Sequence, residues 1–293
     1  MKTILVLTDF SDEADNAAMY AVGLAMNINA DIALCHTFAL PEQSPAAARI
    51  AWSIEDYFSL KQQSLASLSA LADRITHAVR PDATRFFPKI KCISEVGDLA
   101  DVVQNNIMAN RDIAMIIMGM HGAGKAVQLF LGSNVLKVLE LGLCPVMVVP
   151  EREDYRNPTK VIFATDLDKA HMEVLRSLSS LCTHFDAQIS LVYVSNENGF
   201  HEHHSDVSQQ FLTKASTNIG YPKLYYRRVK GRSVSDTLHR LSKNPSCDFF
   251  TIVYSKHGFW DRLIKGSITQ KLMNKMEVPM LIYSQAMEKF PVF

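Results

Sequence analysis

The chain has 293 residues, 48% of them hydrophobic, and its 30 basic and 30 acidic residues balance at a pI near 7.1. This length allows two domains with separate cores, and a neutral chain lacks the basic field that steers proteins to nucleic acid. No uninterrupted apolar run has membrane-spanning length, and the N-terminus lacks the apolar region and cleavage site of a signal peptide. We therefore predict a cytoplasmic protein that binds neither nucleic acid nor membrane.

The chain begins with a strand and a helix joined by a tight turn. Residues 3–7 are a continuous apolar run, and a Thr-Asp-Phe-Ser turn follows at 8–11. Ser11 is predicted to cap the next helix, whose first turn carries acidic residues where the helix dipole favours them. A second buried strand is predicted over 30–35. A helix between two buried apolar runs is typical of a parallel α/β sheet.

A long insertion and a third βα unit come next. Residues 41–79 are predicted to be helical from about Ala46, and a strand is predicted over 89–93. The Gly-Asp pair at 97–98 ends that strand and caps a helix over 99–109. Together with the elements that follow, the first half has the predicted order β-α-β-α-β-α-β-α-β.

The first half is organised around a glycine-bearing stretch at its end. Glycines let the backbone approach a ligand closely, and a helix N-terminus presents free N–H groups to an anion. This pattern is the chemistry of a phosphate cradle. In chain order the stretch contains a predicted strand over 114–118, a turn at Gly119, then Gly122, Gly132 and Ser133 at a helix start, and a strand over 146–149.

A P-loop is the competing interpretation of the same stretch. Gly119, Gly124 and Lys125 match G-x-x-x-x-G-K, but Ala126 stands where a Ser or Thr hydroxyl would hold Mg²⁺. The match also comes after several earlier elements, whereas a P-loop follows the first strand of its domain. The sequence therefore does not favour a P-loop NTPase.

The second half repeats the first. Residues 151–157 are charged and aperiodic and are predicted to be a linker. The strand and Thr-Asp turn at 161–168 copy the start of the chain, with Asp168 as the predicted helix cap. We predict two tandem homologous domains, 1–150 and 158–285. Further strands of the second domain are predicted over 189–194, 225–229, 249–254 and 278–283.

The spacing Gly119-x-x-Gly122, nine residues, Gly132-Ser133 resembles the nucleotide loop of the universal stress protein family, in its ATP-binding branch. The resemblance covers both halves and implies an α/β fold of two doubly wound, Rossmann-like domains of the adenine-nucleotide alpha hydrolase kind. Each would hold a five-stranded parallel sheet with a ligand crevice at the strands' carboxyl ends. Family members pair through their last strand, so the halves can pair within one chain, as a monomer or in a further homodimer.

The resemblance implies a site for ATP or another adenine nucleotide, with or without Mg²⁺, in the first half. Two departures from the family pattern bear on affinity: Leu7 replaces the usual Pro of Pro-Thr-Asp, and Asn134 replaces the usual Val or Thr. Asp9 also has a second interpretation as a turn-forming residue. The positions implied to contact the nucleotide are Asp9, Thr37, Met118, Gly119, Gly122, Gly132, Ser133 and Asn134.

The second cradle is predicted to be degenerate. Ser255 stands in place of its first glycine, only seven residues separate Gly258 from Gly266, and Trp260 adds a large ring. We predict one tightly bound nucleotide per chain, in the first half, with a weaker second site at most. That weaker site would involve Asp166, Val194, Gly258, Gly266 and Ser267.

No catalytic constellation or metal site is predicted. The tract His201-Glu202-His203-His204 lies in a polar segment without partner ligands at metal spacing, and the five widely spaced cysteines form no CxxC pair. The cysteines are predicted to be reduced and buried, and His121 and His257 to be loop residues near phosphate. The predicted function is nucleotide-responsive regulation in the stress response. The alternatives are a slow ATPase or nucleotidyl-transfer enzyme and a nucleotide-free interaction scaffold.

Overall fold

The computed structural model describes residues 1–38, 54–79, 86–120, 131–151, 153–195, 203–243, 247–255 and 276–293, and for 54–56, 131–133 and 203–208 the backbone alone. Its strands are β1 (Thr3–Leu7), β2 (Asp31–Phe38), β3 (Ile90–Val96), β4 (Ile113–Met120), β5 (Val146–Pro150), β6 (Lys160–Ala164), β7 (Gln188–Ser195), β8 (Leu224–Lys230), β9 (Phe249–Tyr254) and β10 (Met280–Ser284). Its helices are α1 (Asp12–Ile28), α2 (Ile54–Val79), α3 (Leu99–Ala109), α4 (Leu131–Glu140), α5 (His171–Thr183), α6 (His203–Asn218) and α7 (Val234–Ser242).

These strands form one sheet in the order β3-β2-β1-β4-β5-β10-β9-β6-β7-β8. Strands within each half pair in parallel, whereas β5 and β10 pair antiparallel, with Met280 opposite Val148 and Ile282 opposite Val146. The predicted α/β fold is confirmed. The last strands make the intrachain pairing that the resemblance implies, and they merge two five-stranded sheets into one.

Helices cover both faces of this sheet. One core contains apolar side chains of α1, α2, α5 and α6, and the other contains those of α3, α4 and α7. The strands of the centre are buried on both faces, which explains their uninterrupted apolar runs. The carboxyl ends of the parallel strands are therefore the edge at which loops and helix N-termini can form a site.

Two predicted helix caps of the first half are confirmed. The Ser11 hydroxyl accepts a hydrogen bond from the backbone N of Ala14 at 3.3 Å, and the Asp98 carboxylate accepts one from Ala100 at 3.0 Å. Each side chain satisfies a backbone N–H that the first turn of the helix leaves unpaired.

The prediction that Asp168 caps α5 is wrong. The helix begins at His171 after Ala170, which makes no side-chain cap, and Asp168 accepts from the backbone N of Ala170 at 2.8 Å. Asp168 therefore closes a separate turn before the helix.

The prediction of a turn at Gly119 is also wrong. β4 continues to Met120, and Gly119 pairs with Val149 of β5. A Cβ at Gly119 would lie 2.4 Å from the carbonyl O of Glu13 and 2.7 Å from the backbone N of Ala14. Gly119 is required because the first turn of α1 passes directly over the strand.

Other boundaries agree with the predictions within a few residues. The helical start expected near Ala46 lies outside the described residues, since the described part of α2 begins at Ile54. All five cysteines are free, as predicted, and burial raises the pKa of the thiols of Cys35 and Cys144 to about 12. Among the helices of the described ranges, none is both long and apolar enough to cross a bilayer.

Candidate functional site

The sheet order has a topological switch point at the carboxyl ends of β1 and β4, where a doubly wound sheet is expected to form a crevice. β1 pairs with β2 on one side and with β4 on the other. The connection after β1 therefore runs towards one edge of the sheet, and the connection after β4 runs towards the other. Ligands of doubly wound sheets bind at such a switch point. Asp9, Thr37 and Met118 follow or end these three strands, and the fold brings them to the same edge.

Asp9 is held in place by the turn after β1. Its Oδ1 accepts hydrogen bonds from the backbone N of Ser11 at 3.0 Å and from the Ser11 hydroxyl at 2.6 Å. This oxygen makes the turn contact that was the second interpretation of the residue. The side chain is exposed, and among the described residues Oδ2 has no hydrogen-bond partner. The carboxylate is thus oriented with one oxygen available to a ligand.

Three neighbours of Asp9 lie at this switch point, and sequence reasoning did not single them out as site residues. The buried Thr8 hydroxyl accepts from the backbone N of Phe10 at 3.0 Å, which holds Phe10 at a φ of +63°. The centroids of the Phe10 and His36 rings lie 4.5 Å apart, and His36 is near the end of β2. His36 Nδ1 lies 2.8 Å from the carbonyl O of Thr8, so Nδ1 must carry a proton and donate.

The signal that could have found His36 is its place in the strand. It follows four buried residues of β2 and is itself half-buried, at the point where the strand reaches the crevice. A histidine at the carboxyl end of a buried parallel strand is a candidate site residue on position alone.

The described start of α4 is the second part of the candidate site. The described part of this helix begins at Leu131 and continues through Gly132 and Ser133, where the sequence predicts a helix N-terminus. Asn134 is exposed in the same turn, and Gly122 lies outside the described residues.

The turn after β6 has the same backbone design as the turn after β1. The Thr165 hydroxyl accepts from the backbone N of Leu167 at 2.9 Å, and Asp166 Oδ1 accepts from that of Asp168 at 3.1 Å. Leu167 has a φ of +66°, like Phe10 in the first half. Shared hydrogen bonds and a shared left-handed residue give the repeat a structural counterpart.

The side chain next to the second carboxylate differs from the first half. His171 is buried, and its Nδ1 lies 2.8 Å from the Thr165 hydroxyl and 3.2 Å from Asp166 Oδ1. Counting from the turn, Ala14 holds the corresponding position in the first half. Burial lowers the pKa of His171, while Asp166 and Asp168 act in the opposite direction.

Strand register shows which residues correspond in β4 and β9. Val6 pairs with Ile117, and Phe163, which lies equally far before its Thr-Asp turn, pairs with Thr251. Ile117 and Thr251 therefore occupy equivalent positions.

Two residues further along, Gly119 corresponds to Val253. The prediction that Ser255 replaces this glycine is wrong by two residues. It aligned the His-Gly pairs of the two loops, but in the sequence His121 directly follows β4, whereas Ser255 and Lys256 separate His257 from β9. Val253 carries a side chain at the place where, in the first half, a Cβ would lie 2.4 Å from the Glu13 backbone. Counted from its Thr-Asp turn, α5 begins later than α1, which agrees with a side chain at this position of the strand.

The remaining predicted positions are only partly described. Val194 is buried in β7 beside the second crevice. Gly258, Gly266 and Ser267 lie outside the described residues, as do His121, His201 and Glu202; His203 begins α6. Among the described residues there is no group of three or more histidines, cysteines or acids that could hold a metal.

Comparison with known proteins identifies relatives of this architecture. A model of the universal stress protein family matches residues 1–150. A universal stress protein from Archaeoglobus fulgidus is 17% identical with a TM-score of 0.72, over 97% of this chain and 98% of its own. A protein of unknown function from Pseudomonas aeruginosa is 13% identical with a TM-score of 0.57, over 97% and 92%. Both likenesses concern the fold.

A universal stress protein in complex with cAMP is 15% identical and covers 44% of this chain and 98% of its own, with a TM-score of 0.36. At that score the likeness says nothing about what the present chain binds. Among curated proteins no significant match was found.

Proposed function

Because this chain belongs to the universal stress protein family, we propose that the crevice of its first half binds ATP or a related adenine nucleotide. Occupancy of the crevice then biases the conformation or the partners of a cytoplasmic stress-response protein. We propose binding and regulation, not turnover.

The observation that carries the proposal is the oriented carboxylate of Asp9. One of its oxygens is held by Ser11, and the exposed side chain leaves the other for a ligand. An ionised carboxylate only accepts hydrogen bonds, so it suits the hydroxyl and amino groups of a nucleoside. The position after the first strand of a doubly wound sheet is where such contacts form.

The start of α4 supports the phosphate end of the proposal. The sequence predicts a helix N-terminus at Gly132 and Ser133, which are among the first described residues of α4, and a helix N-terminus leaves backbone N–H groups unpaired and favours negative charge. Residues without bulky side chains allow phosphate to approach this backbone. Any Mg²⁺ would be held mainly through the phosphate groups of the nucleotide and water, where it would offset their charge.

The test is titration calorimetry of the full chain with ATP, combined with native mass spectrometry of ligand carried through purification. We expect one adenine nucleotide per chain. A chain that binds no adenine nucleotide would support the scaffold alternative, and steady-state turnover well above about 10⁻³ per second would overturn the proposal of binding without turnover.

A further inference from the structure

A cavity of about 720 Å³ lies on the far side of α1 from the sheet, between this helix and the segment 154–157 that joins the two halves. The end of α2 at Val79 and the residue Phe86 close its other side. Its described lining residues are not among those of the proposed nucleotide site, and nothing proposed above uses them.

The wall formed by the joining segment is fixed by one tyrosine. The Tyr155 ring is seated on Gly23 of α1 so closely that a Cβ at Gly23 would lie 2.1 Å from the ring. It packs edge-on against Tyr20, with ring centroids 5.1 Å apart, and its hydroxyl accepts from the Asn27 amide at 2.8 Å. The cavity wall is therefore preorganised, which lowers the cost of ordering a ligand there.

Aromatic and thioether groups form the apolar part of the lining. Tyr20 and Tyr155 lie beside Met19 and Met26, and Phe86 faces them. Aromatic faces attract cations through their quadrupole, and methionine adapts to irregular ligand shapes. This surface suits the apolar body of an organic cation.

The polar part of the lining presents acceptors. The Asn16 amide donates to the carbonyl oxygens of Pro150 at 2.9 Å and Glu153 at 3.1 Å, and the Asn27 amide donates to that of Gly23 at 2.9 Å. Because a carbonyl oxygen only accepts, these contacts identify the nitrogen of each amide and use its donors. The two amide oxygens have no partner among the described residues.

Among the described residues that line the cavity, the charged side chain is an acid. The exposed carboxylate of Asp154 lines it, and no described lining residue is basic. Burial raises the pKa of the neighbouring Glu153; Arg156 opposes the rise, and Asp154 and Asp248 add to it. Among the described charges that act on Glu153, the acids Asp154 and Asp248 outnumber the base Arg156.

We propose that this cavity binds an amphipathic organic cation, with an aromatic or aliphatic body and an N–H-bearing amidinium or ammonium head. The head would donate to the Asn16 and Asn27 amide oxygens and to Asp154, and the body would pack against Tyr20, Tyr155 and the methionines. An anion would meet acceptors and a carboxylate here, so the chemistry selects against nucleotides at this place.

The corresponding place in the second half is built differently. Counting from the turns, Ser180 replaces Gly23, and its hydroxyl accepts from the backbone N of Phe293 at 2.9 Å. Phe293 is itself buried, so the last residues of the chain cover α5 where the first half leaves a cavity. The site thus belongs to the first half.

The test uses benzamidine as the probe and benzamide as its neutral isostere, with full-length protein labelled at the methionine methyl carbons. Leucine variants of Met19 and Met26 assign their methyl signals. We expect benzamidine to shift these two signals and to bind at least about fivefold tighter than benzamide, the ratio that one cation–π contact supplies. Equal affinity for the two molecules, or shifts confined to other methionines, would overturn the proposal.

A pair of matched Asp→Asn variants tests whether the carboxylate of Asp154 recognises the cation. Asp154→Asn should weaken benzamidine binding about threefold, whereas Asp101→Asn, the same change at an exposed residue of α3 on the opposite face, should not change it. Asn157→Asp should strengthen binding by adding a rim charge. If Asp154→Asn and Asp101→Asn behave alike while circular dichroism shows both folded, Asp154 does not recognise the cation and the proposal fails.

Discussion

The turns that follow β1 and β6 have the same backbone and different surroundings. In both, a buried threonine hydroxyl accepts from the backbone two residues on, an aspartate does the same, and one residue takes a left-handed conformation. In the first half, the described contacts of the Asp9 carboxylate stay within its own turn. In the second half Asp166 also faces His171, which reaches the turn from the start of α5.

The difference teaches that a repeated turn can have different neighbours in the two halves. Gly119 lets α1 begin directly above β4, while Val253 holds the equivalent position in β9 and α5 begins two residues later relative to its turn. The later start coincides with a histidine beside the carboxylate. His171 contacts Oδ1 of Asp166, the oxygen that already accepts from the backbone N of Asp168, so the two carboxylates differ in the side chain beside them and not in which oxygen the turn occupies.

The largest effect is expected from the phosphate end of the site. Gly132→Val puts a branched side chain in the first turn of α4 and should abolish nucleotide binding without unfolding the chain. Each lost N–H contact to an anion costs about 1.5–3 kcal/mol, which is about tenfold or more in affinity. Calorimetry with ATP measures the change.

The matched control is Gly266→Val, at the equivalent predicted position of the second loop. It should leave the tight site intact. Two equivalent high-affinity sites in the wild type, or binding that survives Gly132→Val, would show that the halves are not functionally distinct.

The next largest effect is expected at the strand residue that distinguishes the halves. Gly119→Val transfers the second-half residue into the first half, where its Cβ would meet the backbone of Glu13. Because backbone cannot move aside as a side chain can, we expect a loss of about 3 kcal/mol in the free energy of unfolding, measured by urea denaturation.

Val253→Ala is the comparison for that experiment. It removes two methyl groups from a half-buried position and should cost about 1 kcal/mol. If Gly119→Val costs no more than Val253→Ala, close packing of α1 is not the reason for the glycine.

The smallest effect concerns the pH dependence of the second half. Burial lowers the pKa of His171 in the folded state. In the unfolded chain histidine titrates at about pH 6.5, so the unfolded state binds this proton more readily than the folded state does. The stability that neutral His171 contributes is therefore present above about pH 6.5 and is lost as the pH falls through the lowered folded pKa. Melting temperatures between about pH 7.5 and pH 5 measure it.

His171→Gln should flatten this dependence, since glutamine does not titrate. His184→Gln, a variant of an exposed histidine just after the same helix, should leave it unchanged. Equal flattening by both variants would mean that the proton responsible is not the one on His171.

Much of this architecture followed from the sequence alone, because its signals are local. Buried apolar runs alternating with capped helices predicted the parallel sheet, and Ser11 and Asp98 were identified as caps from residue type and position. The repeat of the Thr-Asp turn was also visible, since the same hydrogen bonds require the same residues.

What only the tertiary structure decided depends on contacts between distant segments. The antiparallel pairing of β5 with β10 joins the halves, and the alignment of Gly119 with Val253 follows from register between strands far apart in sequence. The cap predicted at Asp168 failed because its carboxylate accepts from the backbone N of Ala170 in a separate turn and α5 begins only at His171. The linker likewise gave no sign that Tyr155 would seat on Gly23, because that contact joins residues more than a hundred positions apart.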